Sequence, residues 1–400
     1  MRLSRNGAQN SITLDSIQTM LPFFNDGHSA LQAQVRKWAD KNLLPEQQIG
    51  SDLERRSRSL VQELGARAFL QHAVPKQFGG VRERVDARDL CILREELARG
   101  DAIADNMFAL QALGSFPITL AGSDSQKRAY LPKVATGRAI AAFAITEPEA
   151  GSDIASLRTT ALRQGDQFVF NGSKRFVSNA GIADYYIVFA STAPDRKAKG
   201  VSAFIVDANT LGLAVTEKTR LLSPHPIGML EFTHCVVPQA SLLGAEGQGL
   251  KIAFETLDLL RCSVGAAAVG FAQRALDEAI HYSKTRRQFG RAIGEFQAIE
   301  FKLADMATEL EAARLLVYQA AWAHDNGAAD AKLKSSMAKL YATETAQKVV
   351  DQALQIYGAN GLVADSIMER LYRDVRALRI YEGTSEIQKI VIARELLKTP

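Results

Sequence analysis

Between about residues 139 and 243 the apolar residues of this chain lose helical spacing, and on both sides of that stretch they regain it. Upstream, Leu31, Val35, Trp38 and Ala39 recur three and four residues apart, as do Leu60, Leu64 and, less cleanly, Phe69. Pro75 and Gly79-Gly80 punctuate a loop, and Asp86 to Arg99 then places Leu90, Leu93 and Leu97 on one helical face. Inside the stretch, short β-rich runs at 140–145, 167–171, 185–189, 201–206 and 229–232 predict strands. Gly165-Asp166 and Asn171-Gly172 supply turns, the second a strong hairpin signal. Strands this closely spaced, with no helices between them, predict an antiparallel β sandwich or barrel rather than a doubly wound sheet.

After Gly247 the helical pattern persists. Residues 249 to about 284 read as one long helix with Leu257, Leu260, Val264, Ala268 and Phe271 in a stripe. Helices over 297–324 and 329–357 follow, parted by Asp325-Asn326-Gly327, and a short fourth from near Thr384 closes a bundle. The expected fold is therefore mainly α with a central β domain. An N-terminal helical domain is expected at 1–138, the antiparallel β domain at 139–245 and a C-terminal four-helix bundle at 246–400.

Composition excludes several functions. A net charge of +4 over 400 residues, with no dense Lys/Arg block, makes no case for nucleic acid. The three cysteines, Cys91, Cys235 and Cys262, form no CxxC pair, so neither a disulfide framework nor a zinc site is expected, and a reducing compartment fits. The six histidines lack metal-ligand spacing, and no metal site is expected. No apolar run reaches the length of a membrane span. Residues 1–20 carry Arg2 and Arg5 without an apolar core, which predicts no secretory signal. Gly247-Gln248-Gly249 lacks the third glycine of a nicotinamide-binding turn.

The octet from Tyr381 to Gln388 is the most informative stretch for chemistry. Glu382 stands directly before Gly383, Thr384 and Ser385. Gly383 permits a sharp turn, and the two hydroxyl residues can cap the helix that Ile387, Ile390 and Val391 predict. A helix N-terminus suits an anion, and a carboxylate just ahead of it suits a general base. Read alone, the same residues serve equally as a capped surface helix with a solvated glutamate.

The octet resembles the catalytic segment of the acyl-CoA dehydrogenase family of flavoproteins, and five further stretches resemble that family in its order. These are 144–153 (AITEPEAGSD), 176–179 (FVSN), 286–290 (RRQFG) with Phe296-Gln297, 355–361 (QIYGANG) and 369–374 (ERLYRD). Weaker similarity runs back to about Phe24. The resemblance implies a helical–β–helical fold with FAD in the cleft between the β domain and the bundle. It implies oxidation of an acyl thioester to the 2,3-enoyl thioester, with Glu382 removing the α-proton while flavin N5 accepts the β-hydride. The position that carries the base in some relatives, directly before Arg261, is here Leu260, which accepts no proton.

It also implies cofactor contacts. Phe143, Ile145 and Thr146 would meet the flavin edge, Gly151 and Ser152 the pyrophosphate, and Phe176 and Ser178 the ring. Phe176 stands where many relatives carry Trp. Arg286, Phe289 and Gln297 would reach a neighbouring subunit's cofactor, as would Gln355 and Gly358, where Ala359 replaces a second glycine. Thr384 and Glu386 would complete the cofactor set. Ser152, Asp258, Arg261, Tyr381 and Gly383 would face substrate, although Asp258 and Arg261 equally read as a surface ion pair. Implied partners are an acyl-CoA or other acyl thioester, an electron-transfer flavoprotein and copies of the chain in a tetramer. The implied location is the bacterial cytoplasm or, alternatively, the mitochondrial matrix.

The departure from the family lies at 219–229 (TRLLSPHPIGM), where Pro224-His225-Pro226 replaces a Gly-x-Arg-x-Ser-like sequence. His225 reads as a phosphate or acyl-group contact, or as an ordinary solvated loop histidine. The replacement leaves room for a carrier-protein-bound acyl or aminoacyl substrate, and the same fold acting as an oxidase is a further alternative. A non-catalytic helical binding protein is the remaining alternative.

Overall fold

A computed structural model describes residues 22–43 and 52–398. Residues 1–20, read above for a targeting signal, lie outside the described residues. Among the described residues five α-helices come first: α1 (Asp26–Asn42), α2 (Leu53–Ala66), α3 (Ala87–Gly100), α4 (Ala102–Ala121) and α5 (Asp124–Ala135). Each starts where a side chain takes up a free backbone N–H of the first turn: Asn25, Asp52, Asp86, Asp101 and Ser123. Among the described residues no helix is long and apolar enough to cross a membrane.

The β domain holds β1 (Ala141–Ala144), β2 (Thr160–Gln164), β3 (Gln167–Ser178), β4 (Tyr185–Ser191), β5 (Val201–Asp207), β6 (Leu213–Lys218), β7 (Ile227–Pro238) and β8 (Leu242–Leu243). They form an eight-stranded, mainly antiparallel sheet in the order β6-β7-β3-β2-β4-β5-β8, with β1 beside β4. β1 runs parallel to β4, and the two halves of the sheet join at one register pair, Thr160 with Ser191. The sheet curls onto itself, since Phe168 and Phe170 of β3 each meet Phe204 of β5 edge-on at 4.9 Å.

One turn expectation fails. Gly165-Asp166 does turn β2 into β3, but Asn171-Gly172 lies within the twelve-residue strand β3, at a bulge opposite β7. Gly172 has φ +134°, and a Cβ there would come within 2.7 Å of Thr159 Cα. The glycine is thus required by a close backbone approach and not by chain reversal. Strands β2 and β6 escape the sequence pattern because their side chains are mostly solvent-facing.

The remaining helices are α6 (Gly249–Thr285), α7 (Gln297–Asp325), α8 (Ala331–Tyr357), α9 (Ile367–Ala377) and α10 (Ser385–Leu396), with the small hairpin β9 (Arg287–Gln288) and β10 (Arg291–Ala292) between α6 and α7. α6, α7 and α8 form the bundle core and α10 packs on α8 as its fourth member. α9 adds a helix that the pattern did not separate. Helix α3 is buried between the N-terminal layer and α6, where Gly270 lets the backbones touch: a Cβ there would lie 2.1 Å from the Glu95 carbonyl oxygen. The N-terminal helices and the bundle therefore share one core.

Candidate active site

Glu382 lies in the short connection from α9 to α10, with φ +52°, and Gly383 follows at φ +91°. Left-handed backbone is costly for a glutamate, so neighbouring groups must hold it. Lys339 of α8 donates to the Gly383 carbonyl at 2.7 Å, and Gln388 of α10 donates to the same oxygen at 3.0 Å and to the Glu382 carbonyl at 3.3 Å. Thr384 caps α10 by accepting the Ile387 N–H, whereas Ser385 turns away to donate to Glu344. Thr384 thus meets the capping expectation and Ser385 does not.

The residue as a whole is half-buried, but Glu382 Oε2 is sealed from solvent and has no hydrogen-bond partner. Burial pushes the carboxyl up from its ordinary value, against the nearby charges of Arg94, Lys339 and Arg261. The solvated-glutamate reading of the octet is therefore set aside. Burial also pushes the Lys339 ammonium down to about 8, against the pull of Glu382. Among the described residues, none accepts a backbone hydrogen bond from the Glu382 N–H.

Sequence reasoning missed the polar floor beneath the octet. Arg94 of α3 is buried and makes a fork to Asp105 of α4 at 2.8 and 2.9 Å, with a third bond to Ser263 of α6 at 3.2 Å. Burial raises the Tyr381 hydroxyl, which Arg94 opposes. Arg261 is buried on α6, bonded to half-buried Asp258 at 2.5 Å, so the surface-ion-pair reading fails for it. Leu260, beside it, is buried as well.

The loop after β1 is pinned by a second pair missed from sequence. Lys174, fully buried on β3, donates to Glu147 at 2.7 Å and to the Ile145 carbonyl at 3.2 Å. Glu147 also accepts from the N–H groups of Arg158 and Thr159. Burial opposes the Glu147 charge, but Lys174 and these donors hold its carboxyl below the ordinary range. Thr146 is then fixed by its carbonyl, which accepts the Arg175 N–H at 2.8 Å. Ile145 and Thr146 are half-buried, Gly151 and Ser152 are exposed, and the Phe143 ring packs into the core on Phe189 at 4.8 Å.

Phe176 has φ +54° and stays 48% exposed, a strained and open position for a large ring. Ser178 lies two residues on, half-buried, with Oγ 3.0 Å from His225 Nε2. His225 is therefore not the solvated loop histidine of the simpler reading. Its ring is held between Ser178 and the Ser223 carbonyl, and burial lowers its pKa.

A third group lies at the far end of α6. Arg286 ends that helix, Phe289 tips the β9–β10 hairpin at φ +51° and 94% exposure, and Gln297 opens α7. Gln355 and Gly358 sit exposed at the end of α8, and added atoms at Gly358 would meet nothing within 4 Å. Tyr282 joins the two segments, since its carbonyl accepts the Arg286 N–H, its ring stacks on Tyr357 at 4.1 Å and its hydroxyl accepts from Asn360 at 2.8 Å. Glu386 is exposed in the first turn of α10.

One further cluster has ligand-type groups. His28, Asp86 and Asp89 converge, but both Asp89 oxygens are engaged, by the Arg82 fork and by His72.

A helical, sheet and helical fold with a sealed carboxylate on a strained turn is what the resemblance to the flavin-dependent acyl-CoA dehydrogenases implies, and comparison with known proteins agrees. The acyl-CoA dehydrogenase N-terminal domain matches residues 25–138, the middle domain 142–235 and the C-terminal domain 247–397. An acyl-CoA dehydrogenase of Bacillus subtilis is 42% identical over 370 residues, 92% of this chain and 97% of that protein. The structure of butyryl-CoA dehydrogenase from Megasphaera elsdenii superposes with a TM-score of 0.87 at 34% identity, covering 94% of this chain and 99% of that one. An acyl-CoA dehydrogenase complexed with FAD from Bacillus anthracis gives a TM-score of 0.86 at 31% identity, covering 94% and 67% of the two chains. The chain belongs to the acyl-CoA dehydrogenase family; it is an oxidoreductase and its cofactor is FAD. The non-catalytic alternative falls.

The residues fit that cofactor. The open Phe176 ring, the half-buried Ser178 hydroxyl and the exposed Gly151-Ser152 backbone offer an apolar face, a hydroxyl and phosphate donors.

Proposed function

We propose that this chain oxidises an acyl thioester, in the first place an acyl-CoA, to the 2,3-enoyl thioester, with Glu382 as the base. The observation that carries this reading is the sealed, unpartnered Oε2 of Glu382 within reach of three cationic groups. Burial makes the carboxylate a stronger base than a solvated one, while Arg94, Lys339 and Arg261 keep ionisation within reach. Glu382 takes the α-proton, and its own N–H, free of a backbone acceptor, donates to the thioester oxygen as negative charge develops there. Bound FAD supplies the acceptor for the β-hydride. Thr146 would hold it by its hydroxyl, Phe176 by its face, and Gly151 and Ser152 by backbone and hydroxyl donors, while Ser178 would turn its hydroxyl oxygen toward the ring. Arg261 with Asp258, and Ser152, Tyr381 and Gly383, would border the substrate.

Arg286, Phe289, Gln297, Gln355 and Gly358 are exposed in the single chain, which supports a role toward a neighbouring subunit's cofactor in a tetramer, together with Thr384 and Glu386. Electrons would leave to an electron-transfer flavoprotein; a relative from Acetobacterium woodii is named as a subunit of a caffeyl-CoA reductase–Etf complex. The bacterial relatives support a cytoplasmic location. The Pro224–Pro226 loop, where substrate contacts of the family are altered, favours a second reading, a carrier-bound acyl group; an oxidase is the related alternative, and a prolyl acyl carrier protein oxidase superposes at a TM-score of 0.85.

The deciding experiment is a visible spectrum during anaerobic addition of an acyl-CoA panel. Bleaching by one thioester, abolished in Glu382→Gln with flavin still bound, supports the reading. Flavin that only a carrier-loaded substrate bleaches establishes the second reading, and bleaching that survives Glu382→Gln overturns the assignment of the base.

A further inference from the structure

The loop between β6 and β7 is fastened by three hydrogen bonds, two to α9 and one to the end of β3. Arg373 of α9 donates to the Leu222 carbonyl at 3.2 Å, and Ser223 donates to Asp374 of the same helix at 2.7 Å. The Asn179 N–H, just past β3, donates to the Pro226 carbonyl at 2.7 Å. Pro224 and Pro226 fix their own φ angles, so the residue between them has little freedom. His225 is that residue, and its ring is consequently placed rather than mobile.

The ring's hydrogen follows from its partners. Nδ1 lies 3.3 Å from the Ser223 carbonyl, which can only accept, so Nδ1 carries the hydrogen. Burial favours the neutral ring, and a neutral ring with hydrogen on Nδ1 has a bare Nε2. Ser178 Oγ lies 3.0 Å from that nitrogen, and its hydroxyl must therefore donate to it. A serine hydroxyl has one hydrogen and two lone pairs. Once the hydrogen is committed to His225, the open side of Ser178 offers lone pairs alone.

The flavin distinguishes donors from acceptors by redox state. Two-electron reduction converts N5 from a bare acceptor into an N–H donor. A hydroxyl that donates outward favours the oxidised ring, and one that only accepts favours the reduced ring. We propose that His225 is a positioning residue that locks the Ser178 hydroxyl as an acceptor toward the bound flavin and thereby raises the flavin's reduction potential. This rests on the flavin-facing role given above to the Phe176–Asn179 segment.

Two measurements test it. In the protein as purified, nitrogen NMR of labelled imidazole rings, assigned by difference from His225→Gln, should find the Nδ1–H form for His225, with its Nε2 signal moved by Ser178→Ala. An Nε2–H or doubly protonated ring overturns the proposal whether or not flavin is present. The midpoint potential of the bound flavin is then compared across variants. Wild type should be highest, Ser178→Ala lower and His225→Leu lowest, because a freed hydroxyl turns to donate outward. The wild type to His225→Leu step should be about tenfold in the reduction equilibrium, about 30 mV for a two-electron couple. On the Ser178→Ala background His225→Leu should add nothing, and His225→Gln, which keeps an acceptor, should recover part of the loss. An unchanged potential in His225→Leu, or an undiminished effect without the serine, overturns it. A chain that holds no flavin overturns the proposed function together with the potential effect, and leaves only the NMR result standing.

Discussion

Lys339 Nζ donates to the carbonyl oxygen of Gly383 at 2.7 Å, and this contact ties the N-terminal third of α8 to the residue after Glu382. Together with Gln388 it holds two successive residues in the left-handed region, Glu382 at +52° and Gly383 at +91°. Such a turn relaxes unless its carbonyls are engaged, so the side-chain donors are what aim the carboxylate.

Gly383→Ala tests that restraint. The new Cβ would stand 2.6 Å from Gln388 Nε2 and would occupy a φ unfavourable to any side chain. A loss of about 1–2 kcal/mol is expected, read as a lower midpoint in urea unfolding. Turnover should fall as well, since Gln388 must yield and release the Glu382 carbonyl. Unchanged unfolding would mean that the turn is not under restraint.

With Glu382 as the proposed base, the charge around it is expected to set the pH dependence of turnover. The carboxyl must be ionised to accept a proton, and burial raises its pKa. The acid limb of kcat/KM should therefore lie above the ordinary glutamate value of about 4.3. Lys339→Met removes one of the cations that favour ionisation, so the limb should move to still higher pH. A limb that stays in place when Lys339 is replaced argues that the limb reports another group.

Arg94 and Asp105 are both buried and bonded twice to one another. Asp105→Ala would leave a guanidinium under Glu382 without its counter-charge, and a destabilisation of about 3–5 kcal/mol is expected. The paired change Arg94→Met with Asp105→Leu should cost far less, because both desolvated charges go together. A double-mutant cycle in denaturant separates the pair from its surroundings. Near-additive losses would show that the two residues act independently.

The legible parts of this chain were those that depend on spacing. The change of apolar period marks the β domain, and Glu382-Gly383-Thr384 reads as a turn into a capped helix. What stayed hidden depends on contacts between distant residues. Lys339, Arg94 and Lys174 look like solvated charges from their neighbours alone, yet each is buried because a partner on another element accepts its hydrogens. Asn171-Gly172 suggested a reversal because local composition cannot reveal Thr159 pressing on the glycine. His225 suggested a solvated loop residue because Ser178 lies 47 positions away.

Asp374 makes a stability prediction with a definite sign. Burial pushes its carboxyl up to about 6, against the Ser223 hydrogen bond and the nearby Arg373 and Arg370. A carboxyl bound more tightly by its proton in the fold stabilises fully below its unfolded pKa, near 4. That contribution is lost as pH rises through about 6. Asp374→Asn keeps an acceptor for Ser223 and does not titrate. Its melting temperature should gain on the wild type between pH 4 and pH 7, and parallel curves would place the carboxyl's pKa near its ordinary value.

The exposed group at the far end of α6 bears on assembly. Phe289 is 94% exposed at the tip of a two-residue turn, with φ +51° at Phe289 and +82° at Gly290. A hairpin turn of this kind favours Asn-Gly or Gly-Gly, so a phenylalanine there is costly in a lone chain. Coverage by another copy would offset that cost, and Arg286 beside it offers a fork of donors to a phosphate. If the chain assembles as proposed, Phe289→Gly should relieve the strain and yet lower the particle mass read by light scattering at low micromolar concentration. Arg286→Ala should leave the mass unchanged and weaken flavin retention on dilution. If Phe289→Gly leaves both mass and flavin retention untouched, the hairpin is a surface turn and the partner's cofactor is reached from elsewhere.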